Sequence, residues 1–153
     1  FLYVAFHELA HVFIANIFGK KPQKIKLKTC GMNATYTKLN IEYYKKIIIY
    51  IAGPLANFIL ASIFKNVKIV FEINIALALI NLIPVFPFDG FNILKSILEY
   101  DEKDNNIILD IIQSIFKIIL IFLAIYIGFK YRNYSLMMLI IYVIFININS
   151  VKY

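Results

Sequence analysis

The chain has 153 residues, 61% of them hydrophobic and 16% charged, with a formal net charge of +7. A soluble domain of this size could not cover so much apolar surface with its own polar residues, so the composition argues for a membrane protein. The basic excess does not point to nucleic acid, because the lysines lie in short segments between apolar runs, where basic residues orient membrane proteins. Cys30 is the only cysteine, which excludes an internal disulfide. Phe1 opens inside an apolar stretch with neither a basic flank nor a small-residue cleavage site. That start reads as the interior of a longer polypeptide rather than as a signal peptide.

Roughly 20 apolar residues in a helix cross a bilayer core. Five candidate segments follow along the chain: Phe1 to Phe18, Ile47 to Phe64, Val67 to about Leu94, Ile108 to Phe129, and a shorter one from Ser135 to about Asn149. Between the first two, Lys24, Lys26 and Lys28 alternate with Ile25 and Leu27. After Gly31, Met32, Ala34 and Tyr36 alternate with Asn33, Thr35 and Thr37. Period two on both sides of a glycine predicts a hairpin, placed at the membrane surface by its lysines. The expected fold is therefore an all-α polytopic membrane protein of about five transmembrane helices, with a small β-hairpin at the surface. If each segment crosses once, the lysine-rich stretches 19–46 and 95–107 and the C-terminal tail share one side, and the charge bias makes that side cytoplasmic.

The first segment contains His7-Glu8-Leu9-Ala10-His11. Residues i and i+4 stand on one helix face, so His7 and His11 can offer two imidazoles to one zinc ion, with Glu8 beside them as general base. These are the only two histidines in the chain, and they interrupt an otherwise apolar run. Polar groups at such depth are costly, which points to function rather than to an ordinary core histidine pair. Catalytic zinc takes three protein ligands and keeps a place for water. The third ligand must here be an acid, Cys30 or a backbone group. Asp89 is the best candidate, in Asn81-Leu82-Ile83-Pro84-Val85-Phe86-Pro87-Phe88-Asp89-Gly90, where two prolines interrupt a helical run. Broken backbone at membrane depth is tolerated where protein or a water-filled cavity surrounds it. Cys30 and Glu72 are weaker candidates, and a plain helix cap is the alternative role for Asp89. At 1.5 Å per residue, His11 lies roughly 12 Å from Gly19 and Asp89 roughly 9 Å from Lys95, and both ends fall on the cytoplasmic side. The three groups are thus expected at similar depth.

The His7–His11 motif, Gly53-Pro54-Leu55-Ala56-Asn57 and the Asn81–Gly90 stretch, in that order, resemble the site-2 protease family of intramembrane zinc metalloproteases. The similarity is greatest to the sporulation branch, which processes a mother-cell pro-sigma factor. The resemblance implies a catalytic core over residues 1–95, built from three transmembrane segments, one of them proline-broken. Residues 96–153, the C-terminal helices, lie outside it. It also implies one zinc ion held by His7, His11 and Asp89, with Glu8 as acid/base and Asn81 near the reacting groups, holding the substrate carbonyl. Gly53 and Asn57 would serve helix packing and the surroundings of the ligands. Many relatives have a second glycine where this chain has Phe91, and no nucleotide-sensing C-terminal domain is recognisable. The implied function is regulated intramembrane proteolysis of a membrane-embedded or membrane-tethered protein, in a multi-pass bacterial cell-membrane protein whose active site faces the cytoplasm. An inhibitory membrane partner is a further family-level expectation; nucleic acid is not an expected partner. The hairpin offers an edge on which an unwound substrate could pair as an added strand. Two rival functions remain: a zinc-carrying transporter, which has no particular need of Glu8, and a homologue that binds clients without cutting them.

Overall fold

The computed structural model describes residues 2–19, 24–28, 31–35, 42–98 and 106–132, together with Met138 and Tyr142. They form two compact units, residues 1–82 and 83–153. In the first, α1 (Leu2–Ile17) leads to the strands β1 (Lys24–Lys28) and β2 (Gly31–Thr35), then to α2 (Tyr43–Ile63) and α3 (Lys68–Asn81). In the second, a proline-broken stretch leads to α4 (Asp89–Leu98) and α5 (Asn106–Tyr131).

Helix α1 is built inside out. Its buried face carries His7, His11 and Ala15, spaced i, i+4, i+8. The opposite face carries Leu2, Phe6, Leu9, Phe13 and Ile17, between 48% and 65% exposed. In water that arrangement would waste the hydrophobic effect and desolvate two imidazoles. Against lipid tails it is the stable one, because the apolar face needs no cover and the polar groups find partners inside. Helix α2 repeats the pattern, with Ile48, Leu55, Ile59 and Ile63 outward and Ala52, Gly53, Asn57 and Ala61 inward. In α3, Ile69, Ile73 and Ile80 face out while Asn74 and Ala78 are buried.

Small residues set the distance between these helices. Ala15, Ala61 and Ala78 are at most 1% exposed, and with Gly53 they let backbones approach where larger side chains would hold them apart. α1 packs on α2 and α2 on α3. Ala15 meets Ile49 of α2, with Ile14 and Phe18 filling the rim. Gly19, at φ 71°, ends the first helix in the left-handed region that glycine adopts without strain, and its N–H donates to Asn16 O at 2.9 Å. The alternating lysines form antiparallel strands in the register Lys24↔Thr35 to Lys28↔Gly31, and β2 runs close to α1. At the start of α2, hydrogen bonds from Lys45 and then Tyr44 hold the Glu42 carboxyl below its usual pKa.

Among the described residues, two helices are long and apolar enough to cross a bilayer, Tyr43–Ile63 and Ile107–Lys130. Only 28% and 17% of their apolar windows are buried, whereas the core helix of a soluble protein is mostly covered. With 21 residues, α2 extends about 31 Å, against a hydrocarbon core of about 30 Å. α1 is shorter, at 16 residues. The segment expected from Val67 to about Leu94 divides into the 14-residue α3 and the 10-residue α4. The break lies at Pro84 and Pro87, neither of which can donate a helical hydrogen bond. The last expected segment, 135–149, lies outside the described residues apart from Met138 and Tyr142.

Within the second unit, Val85 is fully buried in the broken stretch and Phe88 N–H donates to Val85 O at 3.0 Å. The Phe86–Pro87 peptide is cis, and Phe86 stacks edge-on against Phe91 with ring centroids 5.9 Å apart. α4 packs on α5, whose Leu109, Gln113 and Ala124 are buried.

If close approach at Ala15 holds α1 to α2, Ala15→Leu will overpack that contact and cost about 1–3 kcal/mol. Phe13→Leu, on the lipid-facing side, will stay within about 0.5 kcal/mol of the parent. Denaturant unfolding in micelles, followed by circular dichroism, checks both.

Candidate functional site

The two histidines of α1 lie against α2 and are 4% and 7% exposed. Their rings meet edge to face with centroids 4.8 Å apart. His7 Nδ1 donates to Asn57 Oδ1 at 2.6 Å, and His11 Nδ1 donates to the backbone carbonyl of Ile49 at 2.7 Å. A carbonyl oxygen only accepts, so the His11 ring must carry its proton on Nδ1, and in the neutral ring Nε2 then holds the lone pair. The same holds for His7 when it donates to an amide oxygen. Fixing Nδ1 in this way orients the ring and makes Nε2 a better metal ligand.

Both Nε2 atoms converge on Gly53. A Cβ built on Gly53 would lie 2.5 Å from His7 Nε2 and 2.6 Å from His11 Cε1, and still nearer His11 Nε2. Real Cβ atoms do not approach so closely, so only glycine leaves room for both nitrogens. Glycine inside a helix costs about 0.5–1 kcal/mol relative to alanine. Here that cost gives two imidazole lone pairs a common space. Next to it, Pro54 has no N–H, so the turn before it has one helical hydrogen bond fewer. The bond it cannot make is the one to Tyr50 O, one residue after Ile49, whose carbonyl takes the His11 proton.

Two ring nitrogens with matched tautomers, facing one hollow, form a donor set suited to zinc and other imidazole-seeking metals. Glu8 follows His7 on α1 and is half-buried. Asn81 ends α3 in the same unit, and its side-chain amide donates to Leu77 O at 2.9 Å. Asp89 is the first residue of α4, in the second unit, and is half-buried. A carboxylate there also complements the positive end of the helix dipole. Of the weaker ligand candidates, Glu72 is exposed and faces Lys68 at 3.9 Å one turn away, and Cys30 lies outside the described residues.

The sequence reading passed over Asn74. Asn57 Nδ2 donates to Asn74 Oδ1 at 3.0 Å, and Asn74 Nδ2 donates to Val70 O at 2.8 Å. Both asparagines are fully buried. The signal was available: an amide in an apolar helix is costly unless it has a partner.

If Gly53 keeps the space above it open, Gly53→Ala will displace both rings and weaken metal binding by about tenfold or more. Helix content by circular dichroism will remain, and metal analysis of the purified protein will show the loss.

Comparison with known proteins agrees with this geometry. The model of the M50B-like peptidases matches residues 1–87, and that of peptidase family M50 matches residues 64–125. Zinc metalloprotease MJ0392 of Methanocaldococcus jannaschii is 38% identical over 112 residues, covering 64% of this chain and 32% of its own length. The chain spans between 30% and 46% of the curated relatives it matches. Among solved structures, the site-2 protease from Methanocaldococcus jannaschii superposes with a TM-score of 0.65 at 28% identity, covering 94% of this chain and 71% of the other. The family match over residues 1–87 takes in the histidine motif, Gly53, Asn57 and the proline-broken stretch as far as Pro87, and the chain belongs to the M50B-like peptidases of the site-2 protease (M50) family.

Proposed function

We propose that this chain contains the catalytic core of an intramembrane zinc metalloendopeptidase that hydrolyses membrane-embedded or membrane-tethered proteins. The observation that carries the reading is the pair of Nδ1-anchored imidazoles whose Nε2 atoms share the hollow over Gly53, on a helix with its apolar face outward. The core is residues 1–95, and residues 96–153 contribute accessory helices.

His7 and His11 would hold one catalytic zinc ion, and Asp89 would be the third protein ligand. Support for Asp89 comes from its half-buried position just after the proline break and from its expected depth, close to that of the histidines. When bound, zinc supplies Lewis acidity that polarises the scissile carbonyl and acidifies a water. Glu8 takes a proton from that water and passes it to the departing amine, as a general base and then acid. Asn81 has a second amide proton beyond the one given to Leu77 O, and that proton would hold the substrate carbonyl.

A helical substrate hides its peptide bonds and must be unwound first. A two-stranded hairpin leaves one edge of each strand unpaired within the pair, and an extended substrate segment adds there. The lysines of β1 set this edge on the cytoplasmic side of a bacterial cell membrane. An inhibitory membrane protein would act by covering the same approach. The narrowest form of the reading is activation of a sporulation sigma factor precursor, and it rests on sequence resemblance.

Co-expression with membrane-tethered candidates, including a pro-sigma factor, tests the reading. Glu8→Gln will lower cleavage by about 10²- to 10⁴-fold while zinc content stays at the parental level. Asp89→Ala will lose both. Zinc bound without Glu8-dependent cleavage of any candidate would turn the reading towards a transporter or a client-binding homologue. Ile25→Pro or Leu27→Pro, which disrupt the strand, will abolish substrate cleavage with zinc content unchanged. Intact cleavage in these variants would remove strand addition from the mechanism.

A further inference from the structure

A histidine hydrogen-bonded to an asparagine is not oriented by that bond alone. An amide can turn over, offering Nδ2 where Oδ1 had been, and the ring would then have to accept on Nδ1 and carry its proton on Nε2. That tautomer has no lone pair for a metal. Something must therefore hold the Asn57 amide with its oxygen towards His7. The hydrogen-bond chain identifies it. Val70 O is a backbone carbonyl and only accepts, so the Asn74 Nδ2 at 2.8 Å must face it. Asn74 Oδ1 then faces Asn57 and accepts from Asn57 Nδ2 at 3.0 Å. This leaves Asn57 Oδ1 towards His7 Nδ1 at 2.6 Å, and the ring must donate. Each step follows from the one before, starting at a group with a single possible role.

We infer that Asn74 of α3 is a positioning residue for His7, locking the Asn57 amide and so holding the His7 ring in the tautomer with its lone pair on Nε2. The inference rests on the reading that His7 Nε2 is a metal ligand, but its central statement concerns the metal-free ring. Asn74 touches no reacting group. It acts through Asn57, from a third helix, and its burial at 0% exposure keeps water from satisfying either amide in its place.

The test uses the full chain in lipid nanodiscs. Zinc affinity is measured by competition with a chromogenic chelator for the parent, Asn74→Leu and Asn74→Asp. Leucine fills a similar volume but accepts no hydrogen bond, whereas aspartate keeps the acceptor towards Asn57 and, when protonated, the donor towards Val70. Asn74→Leu will bind zinc about 10- to 100-fold more weakly, and Asn74→Asp will stay within about threefold of the parent. Equal losses in both variants, or no loss in a folded Asn74→Leu, would overturn the inference. The second readout is the ¹⁵N ring spectrum of the metal-free protein, whose two histidines give two sets of signals. In the parent both rings will show a protonated Nδ1, and in Asn74→Leu one of them will lose that preference. A parent spectrum with one ring protonated on Nε2 would overturn the inference even if Asn74→Leu failed to fold. A parent that bound no zinc but showed both rings protonated on Nδ1 would sink the metal reading and leave Asn74 in its role.

Discussion

In a helix that faces lipid, an imidazole has no water to turn to, and every polar atom must be satisfied by protein or metal. The rest of the first unit follows from that constraint. His7 and His11 lie on the buried face of α1, and the neighbouring α2 provides an amide for one Nδ1 and a backbone carbonyl for the other. A buried polar group without a partner costs about 1–3 kcal/mol, and more where no water can reach it. The Nδ1 hydrogen bonds therefore do two things at once. They make burial of the rings tolerable, and they turn the remaining nitrogen of each ring towards a shared space.

The same constraint explains why α2 is rich in residues that weaken helices. Gly53 and Pro54 are poor helix formers, yet both are buried in the middle of a 21-residue helix. Glycine is there because a Cβ would occupy the space of the two Nε2 atoms. Proline takes away the helical donor of Tyr50 O, one residue after the carbonyl that takes the proton of His11. Packing against α1 and α3, together with a lipid surround that strengthens backbone hydrogen bonding, makes up for the lost propensity. Local rules are broken at the site and kept elsewhere, as expected where function competes with regular structure.

Polar cohesion between the helices runs through the buried asparagines and apolar cohesion through the alanines. Lipid tails are as apolar as leucine, so leucine and isoleucine gain little by facing another helix, and apart from Ile49 most of them are left outside. Alanine and glycine gain by close contact. This is why the large hydrophobic residues of α1, α2 and α3 lie outward while Ala15, Ala61 and Ala78 are buried. The inward placement of small and polar residues gives the two imidazoles a close-packed wall, and rigid surroundings keep two side chains of one helix in register.

Much of this was legible in the sequence because the chemistry is local. The spacing of His7 and His11 places them on one helix face whatever surrounds them, and apolar run lengths located α2 and α5 to within a few residues. Pro84 and Pro87 announced the break that divides α3 from α4, since a ring without an N–H cannot continue a helix. The alternation around Lys26 marked the strands in the same way, as a period rather than a contact. What the sequence could not determine is everything that depends on which faces meet. Gly53 was recognisable as part of a motif, but only the packing of α1 on α2 reveals that a Cβ there would strike both Nε2 atoms. Asn74 belongs to no motif. It matters because α3 brings it to Asn57, fifty residues beyond the histidine whose proton the pair helps to fix. A hydrogen-bond direction is a property of the whole chain of partners, and that chain exists only once three helices have packed together.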